Sequence, residues 1–147
     1  IYFTMKNLVT LQVLVFGLAT SMNAQVEKTL VKSVALEAST SATVMLPGTV
    51  EVTEWDKDFV RVTTNLKVEN MNENIVKQLV VVGRYTLETT VENQTLVITM
   101  PKVANLVTVK GELLKEVLSF EISAPEGYEV VIKGEQGSTN TMLGQTL

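Results

Sequence analysis

Apolar and polar residues alternate at period two along most of the chain, which places successive side chains on opposite faces of a strand. In "TVEVTEW" Val50 and Val52 share one face while Glu51 and Thr53 take the other. "VRVTTNLKV" turns Val60, Val62, Thr64, Leu66 and Val68 inward and Arg61, Thr63, Asn65 and Lys67 outward. "YTLETTV" continues with Tyr85, Leu87, Thr89 and Val91 inward, and "TLVITM" with Leu96, Ile98 and Met100. "VLSFEIS" alternates Leu118, Phe120 and Ile122 against Ser119, Glu121 and Ser123, and "YEVVIK" adds Val130 and Ile132. These segments are rich in β-branched residues, so propensity agrees with period.

Turn residues stand where the alternation stops. Leu46-Pro47-Gly48 ends one strand, Glu92-Asn93 predicts a hairpin, and "APEG" (Ala124 to Gly127) predicts a type I turn. All three prolines sit at strand ends, where a missing N–H costs no ladder bond. One stretch has another period. In "NMNENIVKQLVVVGR" the Asn70 and Glu73 spacing suits a capping box, and Ile75/Leu79 and Val76/Val80 recur at helical intervals. A helix is expected over roughly Met71 to Leu79, leading into a buried strand at Val80 to Val82, with Gly83 as stop. "LVTV", Leu106 to Val109, reads as strand and Gly111 as a break.

These elements predict an all-β domain: a two-sheet sandwich, or a short β-roll or β-helix-like arrangement, with one short helix. The first residues lie outside it. Met5-Lys6, an apolar run from Leu8 to Ala19 and the polar exit "TSMNAQ" have the order of a signal peptide, expected over residues 1–24 with cleavage after Ala24 or after Ala19. "IYFT" before Met5 reads as upstream or non-native sequence. The single β domain then covers residues 25–134, and the polar, glycine-rich residues 135–147 are expected to form a flexible tail. The apolar run is shorter than the roughly 20 residues a membrane span needs, so no transmembrane span is expected in the mature chain.

Composition narrows the chemistry. The 147 residues carry 12 Lys+Arg and 16 Asp+Glu. Without Lys6 the mature chain has 11 against 16, about −5, and no basic cluster, which argues against nucleic acid as a partner. There is no cysteine, hence no disulfide and no lipid-modified N-terminal thiol. There is no histidine either, which excludes Ser-His and Cys-His pairs and the usual zinc and copper ligand sets. No cofactor is expected, and neither a phosphate-binding glycine loop nor an S-x-x-K motif occurs. Carboxylate chemistry and oxygen-ligated calcium survive these exclusions.

The densest candidate is "EVTEWDKDFV", where Glu54, Asp56 and Asp58 surround the single tryptophan, Trp55. A helix-loop-helix calcium site would need Asp or Asn at 60, Gly at 61 and Glu at 67; the chain has Val60, Arg61 and Lys67. As acid and base, Asp56 and Asp58 belong to one turn rather than to facing walls of a cleft. The stretch reads as a corner between strands, its Asp side chains bonding backbone N–H groups and Trp55 with Phe59 closing one end of the core. Trp55, Asp56 and Asp58 stay as candidate binding residues, with no catalytic or metal-binding residue. Asn93-Gln94-Thr95 is a sequon in a eukaryotic host and a hairpin turn otherwise, and Arg84 next to Tyr85 reads as a surface contact.

Three segments, "GTVEVTEWDKDFVRVTTNLKV", "TLETTVENQTLVITMPK" and "EVLSFEISAPEGYEVVIKGEQG", together resemble the adhesin-like β domains of bacterial secreted proteins, the autotransporter-adhesin head (GIN-type) domains and their relatives. The shared pattern is V-x-V-x-x-W-D, a turn and V-x-V, then an L-x-I-x-x-P hairpin and a P-x-G turn before V-x-I. Val50, Val52, Trp55, Asp56, Val60, Val62, Leu96, Ile98, Pro101, Pro125, Gly127, Val130 and Ile132 occupy it, within about residues 44 to 137. The family pattern continues into β-helix rungs after its last strand, and the helical insert has no counterpart in it. The resemblance implies an exported bacterial envelope or cell-surface domain, adhesive or structural and not an enzyme, with a protein or glycan partner at the envelope. A soluble carbohydrate-binding module using Trp55 and strand hydroxyls is the alternative; a carboxylate hydrolase is the third reading.

Overall fold

A computed structural model describes residues 25–134 and a strand at 139–142. The expected signal segment, residues 1–24, lies outside the described residues, as does most of the expected tail. Within that tail Thr139–Met142 pairs with a neighbouring strand.

The chain is all-β, in two main sheets that share one core. Its strands are β1 (Val26–Ala35), β2 (Ser41–Met45), β3 (Thr49–Trp55), β4 (Phe59–Val68), β5 (Glu88–Glu92), β6 (Thr95–Thr99), β7 (Thr108–Val109), β8 (Glu112–Leu113), β9 (Glu116–Pro125), β10 (Glu129–Lys133) and β11 (Thr139–Met142). The helix α1 (Glu73–Val81) follows β4, and a 3-10 turn (Pro101–Ala104) follows β6. Sheet A runs β1-β4-β9-β3 and sheet B runs β11-β10-β2-β6-β5; β7 and β8 form a separate small hairpin.

Alternation sets which side chains face the core. Val60, Val62, Thr64, Leu66 and Val68 of β4 and Leu118, Phe120, Ile122 and Ala124 of β9 are buried, opposite Ala42, Val44, Leu96, Ile98 and Val130 of sheet B. Val50, Val52 and Ile132 are half-buried, and β5 falls away, with Val91 exposed. Each sheet contains parallel pairs: β3 runs parallel to β9 in sheet A, while β2 runs parallel to β6 and to β10 in sheet B. Leu46-Pro47-Gly48 carries the chain from sheet B to sheet A, and residues 126–128 carry it back. Gly48 is required at the first crossing, because a Cβ there would fall on the Leu118 carbonyl of β9.

Several local expectations shift. The β5–β6 loop is Asn93-Gln94, both with positive φ as a two-residue I′ hairpin demands. Tyr128 N bonds Pro125 O, so that turn starts one residue later than expected, with Gly127 third at φ +74° as type II requires. The helix N-cap is Asn72, whose side chain accepts from Ile75 N; Asn70 instead bonds Leu113 O and Lys115 N on the β8–β9 segment. Val80 and Val81 complete α1 and Val82 is its C-cap, so no strand forms at Val80 to Val82. The helix keeps its hydrogen-bond ladder to Gly83, whose φ of +83° ends it.

Strand β1 was not expected at all. Its core-side positions read Val26, Lys28, Leu30, Lys32 and Val34, and the two lysines hide the alternation. Lys28 Nζ reaches Glu73 Oε1 of α1 at 3.0 Å, and Lys32 Nζ reaches Leu87 O at 3.0 Å. Their aliphatic stems thus lie along the sheet while the ammonium groups find partners on the covering segment.

Candidate functional site

The β3–β4 link forms an arch. Trp55 pairs with Pro125 at the end of β9, and β4 lies on the far side of β9, so residues 56–58 cross over the β9 terminus. Trp55 shares its parity with Glu51 and Thr53, which places it on the outer face of sheet A. The expectation that Trp55 and Phe59 close the core is therefore corrected: they pack on the solvent side of the sheet. Their rings meet edge to face at 4.9 Å and 71°, and the indole Nε1 donates to Phe59 O at 2.9 Å. The Arg61 guanidinium lies over the Trp55 ring at 4.7 Å, with Lys57 Nζ at 6.0 Å.

Asp56 and Asp58 are exposed on this arch, and among the described residues neither enters an ion pair. The bond closing the arch comes from the indole, not from the Asp side chains invoked by the sequence. Of the three candidate residues, then, only Trp55 has a packed environment, and it is half-buried.

Beyond the arch the outer face of sheet A is a grid of side chains set by strand register. One row crosses Ser33, Arg61, Ser123 and Thr53; the next crosses Val31, Thr63, Glu121 and Glu51; a third crosses Thr29, Asn65, Ser119 and Thr49. Thr53 Oγ1 and Ser123 Oγ lie 3.5 Å apart, and Thr29 Oγ1 donates to Asn65 Oδ1 at 3.2 Å. Small hydroxyl and amide groups dominate, with Trp55 and Phe59 at one end.

A second cluster was missed. Arg84, expected at the surface, is only 7% exposed. Its Nη2 and Nε bond Glu116 Oε1 and Oε2 at 2.5 and 3.2 Å, and Nη1 donates to Asn105 O at 2.8 Å. Longer bonds at 3.3 Å go to the carbonyls of Lys102 and Val103. Tyr85 Oη donates to Glu116 Oε2 at 2.6 Å. Burial works against the Arg84 charge, but the hydrogen bond and charge of Glu116 outweigh it and raise its pKa. Burial first, then the hydrogen bond and charge of Glu116, push the Tyr85 hydroxyl well above its ordinary range. Each donor faces an acceptor, so this is a clamp joining the end of α1, the 3-10 turn and the start of β9. Both Arg84 and Tyr85 are buried because they lie in the turn after α1 rather than in an alternating strand, and Glu116, 32 residues away, had no local signal.

An open groove of about 400 Å³ lies at the ends of β2, β6 and β10, lined by Met45, Pro47, Met100, Pro101, Ala104 and Lys133 among others. Among the described residues no group of three or more carboxylates, histidines or cysteines could hold a metal, and no helix is long and apolar enough to cross a membrane.

No family model matches the chain, so the narrower GIN-type resemblance gains no support from that comparison. No curated protein matches either. Among solved structures, the chain is similar to a "putative cell adhesion protein" from Clostridium sporogenes at 13% identity and a TM-score of 0.39, over 74% of this chain and 47% of that one. The chain thus spans less than half the length of that neighbour.

Proposed function

We propose that the chain is an exported, non-enzymatic β domain that acts by surface association, in adhesion or in structural assembly at a bacterial cell envelope. The observation that carries this reading is the outer face of sheet A. Its hydroxyl and amide rows, held in register by three strand pairings, suit contact over an area better than grip on one small molecule. The order of residues 1–24 and the absence of cysteine and histidine agree with it. A glycan is the alternative partner. The same hydroxyl rows favour it, whereas Arg61 already occupies one side of the Trp55 ring that a sugar would use.

The test has two parts. Bacteria expressing the full reading frame are fractionated and the product weighed: the expectation is a form shortened at its N-terminus outside the cytoplasm. Full-length protein confined to the cytoplasm overturns export. The purified protein is also assayed against glycosidic and ester substrates, where turnover lost on denaturation overturns the non-enzymatic reading.

A further inference from the structure

Sheet A has two edges, and they are built differently. At β1 the core-side lysines Lys28 and Lys32 engage α1 and Leu87, so the edge is bordered by charge and by a covering segment. On sheet B, β5 is five residues long with Glu88 and Glu92 at its ends. Among the described residues β3 has no such protection. Over seven residues, Thr49↔Ser119 to Trp55↔Pro125, one side bonds β9, and no described strand pairs with the other. It contains no proline, no lysine and no residue with positive φ. A strand of this kind is a template for another.

Charge selects the occupant. Glu51 stands directly opposite Glu121 across the β3–β9 pairing, both on the outer face and both exposed. Among the described residues neither has a cationic partner. Like charges in this position destabilise a sheet, and a cation placed beside them removes the repulsion. Glu54, exposed and of opposite parity to Glu51, is the second carboxylate of β3. A second copy of β3 would bring two more glutamates to the edge and is disfavoured.

Resting on the association reading above, we propose that the free edge of β3 takes up an extended, lysine- or arginine-bearing segment of a partner protein by strand addition, with a basic residue set beside Glu51.

The probes are three seven-residue synthetic peptides offered to the full chain: a β-branched sequence with two lysines, its counterpart with two glutamates, and the lysine peptide with a central proline. Hydrogen exchange and titration calorimetry give the readout. The expected result is slowed exchange across residues 49–55 with the lysine peptide, about tenfold weaker binding of the glutamate peptide, and loss of binding with proline. Glu51→Lys, at an exposed position, sets a cation opposite Glu121, so it keeps the fold with an equal or slightly higher melting temperature, and it weakens the lysine peptide by about tenfold. Absence of binding, equal binding of the lysine and glutamate peptides, protection elsewhere, or a β3-mediated dimer without peptide uptake each overturns the proposal. Any of these leaves export and glycan contact standing, so the two readings fail separately.

Discussion

Arg84 and Glu116 meet in a two-point ion pair beneath the surface, with Nη2–Oε1 at 2.5 Å and Nε–Oε2 at 3.2 Å. The guanidinium spends its remaining donors on carbonyls of the 3-10 turn, and Tyr85 fills a further acceptor site on the carboxylate. Removing one partner strands the other. Arg84→Met is expected to cost about 3–5 kcal/mol by urea denaturation. The double variant Arg84→Met with Glu116→Leu should recover part of that loss, since the orphaned charge is gone; a double variant no more stable than the single one would show that the contacts, not the stranded charge, set the cost.

The raised pKa of Tyr85 gives the clamp a pH dependence. In the unfolded chain the phenol ionises near pH 10, while in the folded protein it holds its proton to higher pH. The unfolded state therefore binds fewer protons above pH 10, and stability present below that value is lost as pH rises towards the folded pKa. Tyr85→Phe should cost about 1 kcal/mol at pH 7 and flatten the alkaline fall. Burial also raises the Tyr128 pKa, with the Ser39 hydrogen bond opposing it, so some slope persists in the variant.

Gly48 faces the Leu118 carbonyl where the chain crosses between sheets. Gly48→Ala should destabilise the fold by about 2–3 kcal/mol through backbone displacement at β9, measured by thermal or urea unfolding. At Gly111, where added Cβ atoms meet nothing within 4 Å but φ is +79°, alanine should cost only the backbone strain, about 1 kcal/mol.

The arch predicts opposite responses from neighbours. Asp56→Asn and Asp58→Asn should alter stability by no more than about 0.5 kcal/mol, and calcium should leave the melting temperature unchanged. Arg61→Ala should cost about 0.5–1 kcal/mol and shift Trp55 fluorescence, because the cation over its ring is lost. A calcium-dependent rise in melting temperature abolished by either Asp variant would restore a metal role to the stretch.

Much of the fold was legible because its physics is local. Val60, Val62, Leu66, Val68, Leu96, Ile98, Leu118, Phe120 and Ile122 all alternate and all are buried. Where charge entered the core-side row, as in β1, the pattern disappeared, since a lysine's head can leave the sheet while its stem stays. The valines after Leu79 looked like a strand because a short apolar run fits either period; α1 absorbs Val80 and Val81, and Val81 is 84% exposed. The candidate stretch around Trp55 was legible as a corner but not as an arch over β9, because which strand fills the gap between β3 and β4 is settled about sixty residues later.

By itself the sequence determined the class of structure, the inward row of most strands and the chemistry that lacks its residues, since side-chain parity and composition need no partner. Only the tertiary structure decided the strand order, the parallel pairings, the Arg84–Glu116 clamp and the face to which Trp55 belongs. Each of these depends on contacts between segments distant in the chain, whose free energy appears only when both are in place.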